Sequence, residues 1–132
     1  MKLLVDTSAL LALAFRDDRH HEAAAAFVRA HPHARLVLSE LILAEVASRV
    51  RVRAGAQRAV AVARSLFESR RYELLFLDPD IVRGGLDVMA RFSDKRLSLT
   101  DCTSFELMNR LGLDSAFAFD TDFRNCGYRM VP

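Results

Sequence analysis

The sequence predicts a three-layer α/β domain with a mainly parallel sheet of about five strands. Short apolar runs typical of buried strands alternate with helical patterns along all 132 residues, and this alternation favours a parallel sheet covered by helices on both faces. Apolar residues make up 52% of the chain and charged residues 27%, as in folded globular proteins. No repeat, low-complexity segment or linker interrupts the pattern, so we expect a single domain over residues 1–132.

The first half of the chain predicts two strands and three helices. Thr7 or Ser8 supplies the start of the first helix, and Pro32 follows the end of the second. Ser39 is a suitable N-cap for the third, and Gly55 ends it. The predicted elements are a strand at Lys2–Val5, helices at Ala9–Phe15 and Glu22–Ala30, a strand at Leu36–Leu38 and a helix at Glu40–Arg53.

The second half predicts three further helices and three strands. A helix with an Ala-rich apolar face, running from Ala56 to Phe67, is the most clearly amphipathic segment. Asp78 caps the next helix, whose first residue is Pro79, and Gly112 ends the last one. The remaining elements are strands at Tyr72–Leu77, Ala116–Phe119 and Tyr128–Val131 and a helix at Leu99–Leu111.

Charge and cysteine content exclude several classes of protein. The net charge is +2, from 19 basic and 17 acidic residues, so composition alone does not indicate a nucleic-acid binder. Cys102 and Cys126 are too few for a disulfide framework and lack the spacing of a metal motif, and the four histidines are expected in surface loops. No cleavable leader or apolar run of about 20 residues is present, so we expect a cytoplasmic protein with no membrane partner.

Four acidic residues stand out because their surroundings are largely apolar. They lie far apart in the sequence, at predicted strand ends or in the early turns of helices, at Asp6, Glu45, Asp101 and Asp120. A carboxylate beside a core is costly unless a cation meets it. Ligands of parallel sheets bind beyond the carboxyl ends of the strands, and three of these acids are expected at that edge. Several carboxylates converging there predict a divalent metal ion.

Each acid also has an ordinary structural explanation. Asp6 is a possible N-cap, Asp101 is a favourable charge in the first turn of a helix, and Glu45 is placed to pair with Arg49 one turn later. Such structural roles account for any one of these acids more easily than for all four acids in apolar segments together.

The chain resembles the PIN-domain family of metal-dependent nucleases, and especially the small toxin ribonucleases of the VapBC type. The matching segments keep the order and spacing of the family and span essentially the whole chain. They are LLVDTSALLAL at the amino terminus, SELILAEV from Ser39, LSLTDCTSFELMNRLG in the predicted last helix, and AFAFDTDF near the carboxyl terminus.

This resemblance implies a PIN-like α/β/α fold and a complete acidic site. The four acidic positions of the family fall on Asp6, Glu45, Asp101 and Asp120, with Asp122 as an accessory acid. Hydroxyl positions near the metal fall on Thr7, Ser8 and Thr100. The expected metal ligands are Asp6, Asp101, Asp120 and Asp122, and Glu45 is expected to orient the attacking water or to serve a second ion. Mg²⁺ or Mn²⁺ suits such oxygen ligands.

The resemblance also implies an RNA substrate, a homodimer and a cognate antitoxin that covers the acidic groove. Substrate contact requires cations, and the sequence offers a basic rim. Its members are Arg49, Arg51, Arg53, Arg58, Arg64, Arg70, Arg71, Lys95 and Arg96. Solvated helix faces explain the same residues without any role in binding.

Three other functions remain open at this stage. A housekeeping RNA-processing nuclease would share the site without an antitoxin. A phosphoacceptor of the response-receiver type also uses acids at strand ends, but the Asp17–Asp18 pair lies too far beyond the first strand. A non-catalytic RNA-binding or scaffold domain would retain the fold and bind RNA without metal.

Overall fold

The computed structural model describes residues 1–132 as five strands and seven helices. The strands are β1 (Lys2–Val5), β2 (Arg35–Ser39), β3 (Tyr72–Leu75), β4 (Ser115–Phe117) and β5 (Arg129–Val131). The helices are α1 (Thr7–Ala14), α2 (His21–Ala30), α3 (Glu40–Ala54), α4 (Ala56–Glu68), α5 (Pro79–Arg91), α6 (Leu99–Leu111) and α7 (Asp122–Asn125).

All five strands are parallel and follow the order β3-β2-β1-β4-β5. The central strand β1 pairs with β2 on one side and β4 on the other, so that Leu4 aligns with both Val37 and Ala116. The chain order therefore reverses between β1 and β4, which is where ligands bind in open α/β sheets. The predicted fold class is confirmed.

Two hydrophobic cores cover the two faces of this sheet. Leu3 and Val5 of β1 face the core formed with α1 to α4, whereas Leu4 faces the core formed with α5, α6 and α7. Successive side chains of a strand point to opposite faces, so one short apolar strand serves both layers. Cys102 is fully buried and Cys126 half-buried, and both are free thiols.

Helix starts and ends follow the predicted residues in most cases. Ser39 and Asp78 accept main-chain N–H groups at the starts of α3 and α5, and Gly112 ends α6 in the left-handed conformation. α1 begins at Thr7, one of the two predicted starts, and its N-cap is Asp6, which is the ordinary structural role expected of that acid.

The apolar face of α4 is mainly exposed, since only Ala59 and Leu66 are buried and Phe67 is 58% exposed. Two predictions need correction. β3 ends at Leu75, earlier than predicted. β4 ends at Phe117, so Asp120 does not follow its strand directly. The connection between β4 and β5, where no helix was predicted, contains the short helix α7.

Helices α5 and α6 pack closely at a pair of glycines. A Cβ atom added to Gly85 would lie 2.6 Å from the methyl carbon of Thr103 and 3.1 Å from its main chain. A Cβ at Gly84 would overlap the side chain of Glu106. The absence of side chains at Gly84 and Gly85 thus allows the close approach of α6.

None of the seven helices has the length and apolar character needed to span a bilayer.

Candidate active site

Four of the predicted acids lie around the carboxyl edge of the sheet, at the reversal of strand order. Asp6 directly follows β1, and Asp120 follows β4 after two intervening residues. Asp101 lies in the first turn of α6, and Asp122 is the first residue of α7. The segments that carry them are separated by up to about a hundred residues and are brought together by the parallel pairing of β1 with β4.

Asp6 is the most deeply buried acid of this group. It is 5% exposed, and its Oδ2 accepts hydrogen bonds from the Ser8 hydroxyl at 2.7 Å and the Ser8 N–H at 3.2 Å. Burial raises the pKa of Asp6 from 3.8 to about 6, the hydrogen bonds from Ser8 oppose that rise, and the charge of Asp101 adds to it. A nearby cation would stabilise the charged form of this buried carboxylate.

Ser8 joins the ends of the two central strands. Its hydroxyl donates to Asp6 and accepts the N–H of Phe119 at 3.0 Å, while the Asp6 N–H donates to the Phe117 carbonyl at 3.0 Å. The orientation of the Asp6 carboxylate is therefore fixed relative to the segment that leads from β4 to Asp120.

The Ser8→Ala substitution should lower the free energy of unfolding by about 1–3 kcal/mol at neutral pH, because it leaves the Phe119 N–H without a partner and removes the shorter of the two hydrogen bonds to the Asp6 carboxylate. Urea denaturation measures this change. Ser65→Ala is the matched control, because Ser65 is exposed and donates only within its own helix, so its effect should stay below about 0.5 kcal/mol. Equal effects of the two substitutions would contradict the bridging role.

Asp101 is held at the start of α6 by a reciprocal pair of hydrogen bonds with Ser98. The Ser98 N–H donates to Asp101 Oδ2, and the Asp101 N–H donates to Ser98 Oγ, both at 3.0 Å. The negative charge of Asp101 contributes to the raised pKa of both Asp6 and Asp122. Ser98 was not among the predicted site residues, although the Ser-x-x-acid spacing of a capping box indicates it.

Asp120 and Asp122 form a second acidic pair at the same edge. The Asp122 N–H donates to Asp120 Oδ1 at 3.0 Å. Burial raises the pKa of Asp122, the charges of Asp120 and Asp101 raise it further, and the charge of Lys95 lowers it. Repulsion between carboxylates links Asp122 to the others, so the four acids form one electrostatic cluster.

The predicted accessory hydroxyls differ in their surroundings. Thr7, next to Asp6, has a buried hydroxyl with no hydrogen-bond partner in the protein, which is the usual sign of a site for water or an ion. Thr100 precedes Asp101, is half-buried, and accepts the Ser104 hydroxyl at its carbonyl oxygen. Of the predicted hydroxyls, only that of Ser8 contacts an acid directly.

Glu45 is not joined to the other acids by any direct contact. It lies on α3, 31% exposed in its side chain, and pairs with Arg49 at 3.6 Å one turn later, which was the ordinary explanation of this residue. The carboxylate at the start of the same helix, Glu40, instead accepts the Leu77 N–H with both oxygens, at 2.9 and 3.0 Å. Its role is to tie α3 to the end of β3.

The predicted basic rim is only partly at this edge. Lys95 lies close enough to affect the pKa of Asp122, but Arg70 and Arg71 precede β3 and therefore lie at the opposite edge of the sheet. Arg53 pairs with Asp17 and stacks on Phe15. His20, expected in an exposed loop, stacks on the Phe119 ring with centroids 4.3 Å apart.

The acid cluster suits a hydrated ion better than an all-carboxylate cage. No three His, Cys, Asp or Glu side chains are close enough together to enclose a metal. Mg²⁺ usually keeps several waters and binds proteins through one or two carboxylates. The oxygen-only donors, the repulsion that Asp101 exerts on Asp6 and on Asp122 and the unpartnered Thr7 hydroxyl fit that second form of binding.

Known proteins resemble this chain along nearly its whole length. The 23S rRNA-specific endonuclease VapC20 of Mycobacterium tuberculosis is 29% identical over 126 residues, covering 96% of this chain and 95% of the relative. The crystal structure of that VapC20, described as a Sarcin-Ricin loop cleaving toxin, superposes with a TM-score of 0.88 at 28% identity and covers the same shares of the two chains.

More distant structures share the fold. The VapBC2 complex of Rickettsia felis bound to a promoter DNA fragment matches with a TM-score of 0.74 at 10% identity, over 100% of this chain and 98% of its counterpart. The family model of the PIN domain matches residues 3–127. The resemblance predicted from the motifs is confirmed, and the chain belongs to the PIN-domain family.

Proposed function

We propose that this protein is a metal-dependent endoribonuclease and the toxin of a type II toxin–antitoxin pair, acting as one nuclease domain over residues 1–132. The observation that carries the proposal is the cluster of four acids, Asp6, Asp101, Asp120 and Asp122, at the reversal of strand order. The likeness to an endonuclease over 96% of the chain supports the same activity.

In this proposal, Asp6, Asp101 and Asp120 would hold Mg²⁺ or Mn²⁺ directly or through water, with assistance from Asp122. The bound ion supplies the positive charge that polarises the phosphoryl group and lowers the pKa of a water. Asp6 is oriented for this by Ser8 and Asp101 by Ser98. Glu45 on α3 would orient the attacking water or serve a second ion, and Lys95 would attract the substrate phosphates beside Asp122.

The relatives also suggest the partners. The named curated relative is a 23S rRNA-specific endonuclease, and several solved neighbours are complexes of a VapBC pair or of a toxin with its antitoxin. We propose RNA as the substrate, a protein antitoxin as the inhibitor, and a homodimer as the active assembly. A toxin should stop growth when expressed alone and should be neutralised by the product of an adjacent gene. Growth unaffected by expression of an active nuclease would favour a housekeeping role.

Cleavage should require a divalent ion. Purified protein incubated with mixed cellular RNA is expected to produce discrete fragments with millimolar Mg²⁺ or Mn²⁺ and none with EDTA, resolved by denaturing electrophoresis. The Asp6→Ala protein, prepared identically, controls for contaminating nucleases. Equal fragmentation with EDTA, or by the Asp6→Ala protein, would contradict the proposal. Metal-independent RNA binding without cleavage would assign the chain to the non-catalytic class.

A further inference from the structure

The largest cavity of the molecule lies away from the acid cluster. It has a volume of about 400 Å³ and is lined by two turns, residues 32–35 and 69–71. These turns precede β2 and β3, so the cavity is at the amino edge of the sheet. β2 spans five residues, which at about 3.3 Å per residue puts its two ends roughly 13 Å apart. One nucleotide cannot occupy both places.

Positive charge is concentrated in this arginine cavity, the space between residues 32–35 and 69–71. Three arginines and one histidine line it. Arg35 is the only one of the arginines with a carboxylate partner, Glu73 at 3.3 Å, and Lys2 binds the same carboxylate at 3.3 Å. Arg70 and Arg71 form no salt bridge. The cavity therefore has more positive charge than its neighbours neutralise.

The donors in the cavity are fixed in position without being neutralised. The Arg71 guanidinium donates to the main-chain carbonyls of His31 and Pro32, both at 3.3 Å. Ser69 Oγ accepts the Arg71 N–H at 3.2 Å, which leaves the hydroxyl hydrogen free to donate. Carbonyl partners orient a guanidinium but leave its charge available, and guanidinium groups suit phosphate oxygens.

We propose that the arginine cavity binds a backbone phosphate of the RNA strand, at a nucleotide distant from the bond that is cleaved. This inference rests on the proposed nuclease function for the identity of the strand. The acid cluster repels phosphates until metal is bound, whereas the arginine cavity attracts them throughout. The cavity would thus hold the substrate to the protein while the acidic edge acts on another nucleotide.

The test compares RNA binding by Arg70→Ala with that by Arg16→Ala, both in an Asp101→Asn background that prevents cleavage. Arg70 is exposed and makes no hydrogen bond that its loss would break, and Arg16 is likewise exposed and unpaired but lies outside the cavity. Fluorescence anisotropy with a labelled single-stranded RNA is measured between 50 and 200 mM salt. We expect Arg70→Ala to weaken binding on the order of fivefold at low salt and to reduce the salt slope by about 0.7, as for one lost phosphate contact.

Other outcomes separate this inference from the nuclease proposal. Equal affinities and slopes for the two variants would overturn the phosphate site, even where the wild type cleaves RNA. A selective loss with Arg70→Ala would support the site, even where no cleavage is found. A further arm uses inorganic phosphate in thermal unfolding. Stabilisation by phosphate that depends on Arg70, with unchanged RNA binding, would assign the cavity to a free anion and overturn the proposal.

Discussion

The Asp101→Asn protein is expected to cleave RNA at least about 100-fold more slowly than the wild type while keeping its fold. Asp101 is the acid whose charge acts on both Asp6 and Asp122, so its removal should take away the centre of the metal site. Stabilising the charge of the transition state through a metal is worth several kcal/mol, and each 1.36 kcal/mol corresponds to about tenfold in rate.

The fold should survive this change for a structural reason. An asparagine carbonyl oxygen can accept the Ser98 N–H as the carboxylate does at 3.0 Å, so the start of α6 keeps its hydrogen bonds. Single-turnover cleavage at saturating Mn²⁺ and circular dichroism measure the two properties. Asp78→Asn is the control, because Asp78 also caps a helix but lies on the exposed start of α5. A cleavage rate within threefold of the wild type would remove Asp101 from the catalytic set.

Asp6→Asn should stabilise the metal-free protein at neutral pH while it abolishes cleavage. The pKa of Asp6 rises from 3.8 to about 6 mainly because the carboxyl is buried, and at about 1.36 kcal/mol per pKa unit this difference corresponds to roughly 3 kcal/mol. Asparagine carries no charge to desolvate and retains an oxygen for the Ser8 donors. Urea denaturation in EDTA at pH 7.5 should show a gain of up to about that size.

The stability gained by Asp6→Asn should depend on pH. Between the pKa of about 4 in the unfolded chain and the pKa of about 6 in the folded one, the folded protein binds more protons at Asp6. The contribution of Asp6 to stability therefore falls as the pH rises through this interval, and the loss is complete above it. The advantage of Asp6→Asn should accordingly vanish near pH 3.5. A variant less stable than the wild type at pH 7.5 would contradict a destabilising effect of burying the charged Asp6 carboxylate.

Divalent ions should make the wild type more stable than Asp6→Asn, which is the reverse of the order expected without metal. An ion that binds only the folded wild type at 100 times its Kd adds about 2.7 kcal/mol of stability, so millimolar Mn²⁺ should raise the unfolding temperature of the wild type and leave Asp6→Asn nearly unchanged. Asp78→Asn should respond to Mn²⁺ as the wild type does. The absence of any shift in the wild type with either Mg²⁺ or Mn²⁺ would count against the acid cluster as a metal site.

Most of the fold was predictable from local signals. α6 was predicted with its observed bounds because a glycine ends it and an apolar helical pattern fills it. For α4, periodicity indicated which side chains share a face but not whether another element covers that face, and the structure leaves it mainly exposed. Such coverage depends on the tertiary arrangement.

The acid cluster was predictable to the level of segments but not of contacts. Asp6 and Asp101 were expected at the same edge because each lies at a strand end or helix start, and the structure brings their charges together. The bridge from Ser8 to Phe119 joins residues 111 positions apart, which no local pattern indicates. The edge position of Arg70 and Arg71 could have been inferred, because both directly precede a predicted strand.

The close approach of α5 to α6 at Gly85 has a consequence for how this protein tolerates change. Any side chain there must push against Thr103, two residues beyond Asp101 in the same helix. A methyl group at Gly85 on α5 would therefore shift α6 and reorient the Asp101 carboxylate without contacting it. A substitution outside the acid cluster could in this way lower the cleavage rate.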